Sequence, residues 1–136
     1  MTQKIGIINY GLSGNIYSIQ KAIQEAGGEV KIIESSRQLS SVDKLVIPGV
    51  GSFKDAILEL NNNKLIEPLK KAIAEKVTLG ICLGMQILSD LGFEYGKTKG
   101  LSVIQGEVKP MIVDAKIPHM GYNTIEVTKK INYLKV

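Results

Sequence analysis

One ten-residue stretch, Val77-Thr78-Leu79-Gly80-Ile81-Cys82-Leu83-Gly84-Met85-Gln86, restricts this chain more than any other. It reads as a short apolar strand, a sharp turn at Cys82 and the first turn of a helix. Gly80 and Gly84 flank the cysteine at two residues on either side, the spacing of a nucleophile elbow with sulfur in place of a serine oxygen. Such a turn strains the backbone of the nucleophile, and side chains at the flanking positions would collide. The turn lifts Cys82 above the end of a sheet, and the free N–H groups at the helix start favour the ionised sulfur. A free cysteine is otherwise a small buried apolar residue, but that role does not call for glycine on both sides.

Around this stretch the chain alternates strand and helix. Lys4 to Asn9 carries Ile5, Ile7 and Ile8 and predicts a first strand; a Gly-rich turn follows, with Ser13 or Asn15 as N-cap. Ile16, Ile19, Ile23 and Ala26 then fall on one helical face, closed by Gly27-Gly28. Strands are expected at 29–33 and 44–47. Helices are expected at 52–60, broken by Asn61-Asn62-Asn63, and at 65–76; the helix after the elbow is expected to run to about Leu91-Gly92. Beyond it, residues 101–108 and 109–113 read as extended segments of a hairpin or meander, and 124–127 as a further strand. The expectation is one α/β domain over residues 1–136: a mostly parallel sheet flanked by helices, with a β-rich C-terminal part.

Composition narrows the function. The 136 residues are 44% hydrophobic and 22% charged, ordinary for a globular chain. A single cysteine makes no internal disulfide, which points to a cytoplasmic setting. No secretory leader is expected at Met1-Thr2-Gln3-Lys4, and no apolar run reaches the ~18 residues of a membrane span. The net charge of +4 comes from sixteen scattered lysines and Arg37, without basic runs or interleaved aromatics, so no nucleic-acid partner is expected. One His and one Cys far apart are too few ligands for a metal site, and no cofactor is expected.

Four blocks together carry a resemblance: Asn9-Tyr10-Gly11…Gly14-Asn15…Ser18, Pro48-Gly49-Val50-Gly51-Ser52-Phe53, Gly80 to Gln86, and Pro118-His119-Met120-Gly121-Tyr122-Asn123. In that order they resemble the class I, triad-type glutamine amidotransferases, a flavodoxin-like α/β family. Within it they resemble most the glutaminase subunits of imidazole glycerol phosphate synthases. The resemblance implies that Cys82 attacks the carboxamide carbon of L-glutamine, releasing ammonia and leaving a glutamyl thioester that water hydrolyses. It implies an oxyanion hole built from Leu83 N–H with Val50 or Gly51, and substrate contacts from Gly49, Gln86 and Glu94. Asn15 and the block Pro118, His119, Met120, Gly121, Tyr122, Asn123 would face a cyclase subunit, a (β/α)₈ barrel that receives the ammonia and makes imidazole glycerol phosphate in histidine biosynthesis.

The chain departs from the family pattern in two places. Its N-terminal loop is one residue longer, with Asn9 where aspartate is common. It also contains no H-x-E, the pair that supplies the family's base and its orienting carboxylate; His119, the only histidine, falls in the partner-facing block. The expectation is an incomplete amidotransferase domain, inactive by itself. Two other readings fit the same residues: a paralogous glutaminase that feeds a sugar-modifying enzyme, or a non-catalytic binding or thiol-redox module.

Overall fold

The computed structural model describes residues 2–124 and 126. Four short strands rich in Ile, Leu and Val form a wholly parallel sheet: β1 (Lys4–Ile8), β2 (Glu29–Ile33), β3 (Lys44–Ile47) and β4 (Thr78–Gly80), in the order β2-β1-β3-β4. Parallel neighbours need crossovers, and the amphipathic segments supply them. Helix α1 (Ile16–Glu25) joins β1 to β2, while α2 (Phe53–Asn62) and α3 (Ile66–Glu75) join β3 to β4. Asn15 caps α1, its Oδ1 accepting from Ser18 N–H at 3.1 Å. Ser52 caps α2 in the same way, accepting from Asp55 N–H at 3.1 Å.

Side-chain alternation along β1 divides the two faces. Ile8 joins Ile33, Leu45 and Ile47 in a core closed by Ala56 and Leu60 of α2 and Leu69 and Ala72 of α3. Ile5 points the other way and meets Ile23 of α1; Gly28 lies so close to both that a Cβ there would come within 2.9 Å of each. A 3₁₀ turn at Ser36–Ser41, not anticipated from the sequence, places Leu39 under the core.

Three elements differ from expectation. The asparagine run ends α2, but two residues later than expected: Asn61 and Asn62 are still helical and Asn63 is the C-cap, where its Nδ2 donates to the Glu59 carbonyl at 2.9 Å. The helix after the elbow, α4 (Leu83–Gln86), is a single turn, and Leu91-Gly92 belongs to a strand, β5 (Ser89–Gly92). Ser89 Oγ donates to the Gln86 carbonyl at 2.7 Å, and the Ile87 and Leu88 carbonyls accept from Leu101, Val103 and Ile104 N–H, so the groups that would prolong the helix are already engaged. The extended C-terminal part is a second small sheet, β6-β5-β7, with β6 at Thr98–Lys99 and β7 at Ile104–Val108. Its hairpin is β5–β6, reversed by Tyr95 and Gly96 at φ 55° and 105°, and residues 109–113 lie in no strand. The strand expected at 124–127 and the apolar residues near the C-terminus fall mostly or wholly outside the described residues.

The two sheets meet at Phe53. Its ring lies flat on Gly92, where a Cβ would stand 2.4 Å from Cγ, and its tip reaches Gly100, where a Cβ would stand 3.0 Å away. The fully buried ring therefore fills space that only glycine leaves open. Phe53→Ala is expected to lower unfolding stability by about 3–5 kcal/mol, read from urea denaturation midpoints. A loss below about 1 kcal/mol would mean that the sheets are held together elsewhere.

Candidate functional site at Cys82

β4 ends at Gly80, and the chain turns into α4 through Cys82, whose φ of 53° and ψ of −119° lie in a region that side chains avoid. The flanking glycines have the steric cause the sequence suggested. A Cβ at Gly84 would stand 1.8 Å from the Ile47 carbonyl oxygen, and one at Gly80 would stand 2.7 Å from Met85 Cα. The elbow thus packs backbone to backbone on the end of β3, and Cys82 projects outward, exposed.

The loop leaving β3 lies against the elbow. A Cβ at Gly49 would meet Leu83 Cβ at 3.0 Å and Gly84 N at 3.1 Å. Gly51 has φ 110°, a conformation that suits glycine. The two donors considered from this loop differ in state. Val50 N–H donates to the Leu12 carbonyl at 2.9 Å, whereas Gly51 N–H, like Leu83 N–H, has no partner among the described residues.

Gly51, Cys82, Leu83, Gln86 and Glu94 line one cleft of about 390 Å³, together with Val108, Lys109 and Pro110. That volume suits a small polar molecule. Glu94 has a second role: its Oε2 accepts from Phe53 N–H at 2.9 Å, satisfying a donor at the start of α2. Lys109 was not singled out from the sequence. It brings a cation to the cleft, paired with Glu107 and placed 5.4 Å from the Phe93 ring centroid. Only the register of β7 against β5 delivers it there, so no local pattern marks it. Gly49 and Val50 border this arrangement without lining the cleft.

The remaining expected residues lie elsewhere. Asn15 is occupied as the α1 cap. Residues 118–123 are exposed and in no helix or strand; His119 contacts Asn123 at 2.6 Å and does not line the Cys82 cleft. No group of three His, Cys, Asp or Glu side chains among the described residues could hold a metal. None of the described helices is long and apolar enough to cross a membrane.

Tyr10 is buried beside the site, and burial, with Cys82 nearby, raises its pKa to about 12. The folded state therefore binds the phenolic proton more tightly than the unfolded chain, whose value is about 10. The stability this adds is complete below pH 10 and lost as pH rises towards 12.

The family model of the SNO glutamine amidotransferase family matches residues 9–113. The chain belongs to that family. Among its relatives are imidazole glycerol phosphate synthase subunits HisH. That of Caldanaerobacter subterraneus subsp. tengcongensis is 42% identical over 132 residues, covering 96% of this chain and 64% of the relative. That of Rhodopirellula baltica is 43% identical over 126 residues, covering 90% of this chain and 61% of the relative. The chain thus spans a little over three fifths of the length of these relatives. A candidate peptidase E of Listeria monocytogenes EGD-e has a similar fold, with a TM-score of 0.61 at 17% identity over 75% of this chain and 63% of that one. Class, parallel sheet and cysteine elbow agree with the reading of the four sequence blocks.

The conformation of Cys82 yields a test. Glycine at an ordinary position is less stable than alanine by roughly 0.5–1 kcal/mol, but relief of a strained φ is worth about 1–3 kcal/mol. Cys82→Gly is therefore expected to unfold at a higher urea concentration than Cys82→Ala. The usual order, alanine above glycine, would show that the turn stores no strain.

Proposed function

We propose that this chain carries the nucleophile half of a glutaminase that serves imidazole glycerol phosphate synthesis. The observation that carries the reading is a pair of backbone donors without a partner among the described residues, Leu83 N–H and Gly51 N–H, on a cleft that Cys82 also lines. In the proposed reaction the Cys82 thiolate adds to the carboxamide carbon of L-glutamine, and the carbonyl oxygen takes up the charge between the two donors. The C–N bond breaks, a proton goes to the departing nitrogen, and ammonia leaves a glutamyl thioester. Water adds to that carbon, the C–S bond breaks, glutamate leaves, and a proton from the water restores the thiol. Gln86, Glu94 and Gly49 are the candidate contacts to the amino-acid end of the substrate.

Proton transfer needs a base, and the described residues place none at Cys82. The base and its orienting carboxylate are proposed to lie in sequence beyond the part of the relatives that this chain spans. The 136-residue chain alone should release glutamate at least about a thousandfold more slowly than the chain extended to its relatives' length. A coupled glutamate dehydrogenase assay on both proteins decides it. Comparable rates would show that a group within residues 1–136 acts as the base.

The acceptor of the ammonia is proposed to be a (β/α)₈-barrel cyclase subunit bound at Asn15 and residues 118–123. The block carries Met120 at 84% exposure and Tyr122 fully exposed. Side chains of this kind are enriched at the centres of interfaces. In the extended protein, Tyr122→Ala should weaken barrel binding by about 2 kcal/mol, roughly thirtyfold in Kd by calorimetry, with the unfolding midpoint unchanged. Unchanged affinity would remove this block from the interface.

A further inference from the structure

Tyr10 does not line the Cys82 cleft, yet it is buried against the loop that faces the cysteine. Its hydroxyl donates to the Pro48 carbonyl at 2.9 Å. A Cβ at Gly49 would stand 2.4 Å from the same oxygen, so the phenol occupies the space that a side chain at position 49 would take. The tyrosine is held from its own end as well: Ser13 Oγ accepts from Tyr10 N–H at 3.0 Å and donates to the Ile8 carbonyl at 2.9 Å.

Two further contacts hold the next residue of that loop. Leu12 accepts from Val50 N–H at 2.9 Å, and a Cβ at Gly14 would come within 3.0 Å of Val50 Cγ1. Residues 10–14 therefore grip residues 48–50 by one side-chain and one backbone hydrogen bond. The side-chain bond is the one nearer the elbow, since Gly49 touches both Tyr10 and Leu83. With its pKa at about 12, Tyr10 keeps its proton, and so this bond, throughout the neutral range.

We infer that Tyr10 is a positioning residue for the reaction at Cys82: its hydrogen bond to the Pro48 carbonyl sets where the Gly49–Gly51 backbone stands relative to the sulfur. The inference rests on the glutaminase reading. Attack on an amide depends on the placement of the loop's N–H groups, whereas alkylation of the thiol by iodoacetamide does not. The two reactions therefore separate an effect on the loop from an effect on the nucleophile.

The test uses the chain extended to its relatives' length, with its barrel partner present. Position 10 carries Tyr10→Phe and, as a pair of matched size, para-aminophenylalanine, which keeps a donor, and para-methylphenylalanine, which has none. The phenylalanine and para-methyl proteins should lose about tenfold to a hundredfold in kcat for glutamine, with KM and the iodoacetamide rate within about threefold of the parent. The para-amino protein should stay within about threefold of the parent in kcat. Exchange of the Val50 amide proton should quicken by about tenfold or more in the two donor-less proteins.

Equal kcat in the para-amino and para-methyl proteins would overturn the inference, and so would unchanged Val50 exchange. A parallel fall of turnover and alkylation would overturn it too, because the residue would then act on the thiol or the whole fold. If the parent protein released no glutamate, the glutaminase reading would fall instead. The exchange measurement needs no substrate and would still decide whether Tyr10 holds the loop.

Discussion

The structure depends on the contact between Gly84 and the Ile47 carbonyl. A hydrogen atom at Gly84 is all the space allows, since a Cβ would lie 1.8 Å from the carbonyl oxygen. That closeness places the elbow directly on the C-terminal end of β3. Ile81 N–H donates to the same carbonyl at 2.9 Å, extending the ladder one step beyond β4. Two connections that leave the sheet at neighbouring strand ends, residues 48–51 and 81–83, are thereby brought side by side. In open parallel sheets this end is where ligands bind, and here it is where the cysteine gathers with the two N–H groups that have no partner among the described residues.

Much of this was legible because the relevant residues have few alternatives. A cysteine between two glycines after an apolar run has one economical explanation, and the first three strands carry apolar runs rich in Ile, Leu and Val. Asn15, one of the two caps expected for α1, lies where its side chain can reach the third residue onward, a purely local requirement, whereas Ser52, expected inside α2, is its cap. The illegible parts depended on distant partners. The apolar pattern of Met85, Ile87, Leu88 and Leu91 fits a helix as well as it fits β5. It becomes a strand because residues 101–104, far along the chain, take the Ile87 and Leu88 carbonyls.

The site divides along the same line. Cys82, Leu83 and Gln86 are neighbours in one stretch of sequence, though Leu83 and Gln86 take their expected roles from the resemblance. Gly51 and Glu94 entered through resemblance, and Glu94 proves also to anchor the start of α2, a pairing across 41 residues that no local pattern announces. Lys109 arrives only through the β5–β7 register. Tyr10 belonged to a recognised block, but the reason for it lies across the sheet at Pro48 and Gly49. In sequence, that reason is visible only as the side chain that position 49 lacks.

The donors facing the cleft belong to the main chain, and this decides how the site can change over generations. A main-chain N–H has no identity to mutate, so the side chain at Leu83 can drift within the limits of packing while its donor persists. The information is held instead at Gly49, Gly80 and Gly84, where any side chain meets an atom within 2.7 Å. Inheritance of the site is therefore written mostly in three positions that contribute no side chain. Even serine for cysteine at position 82 would keep the architecture while changing the atom presented at the turn.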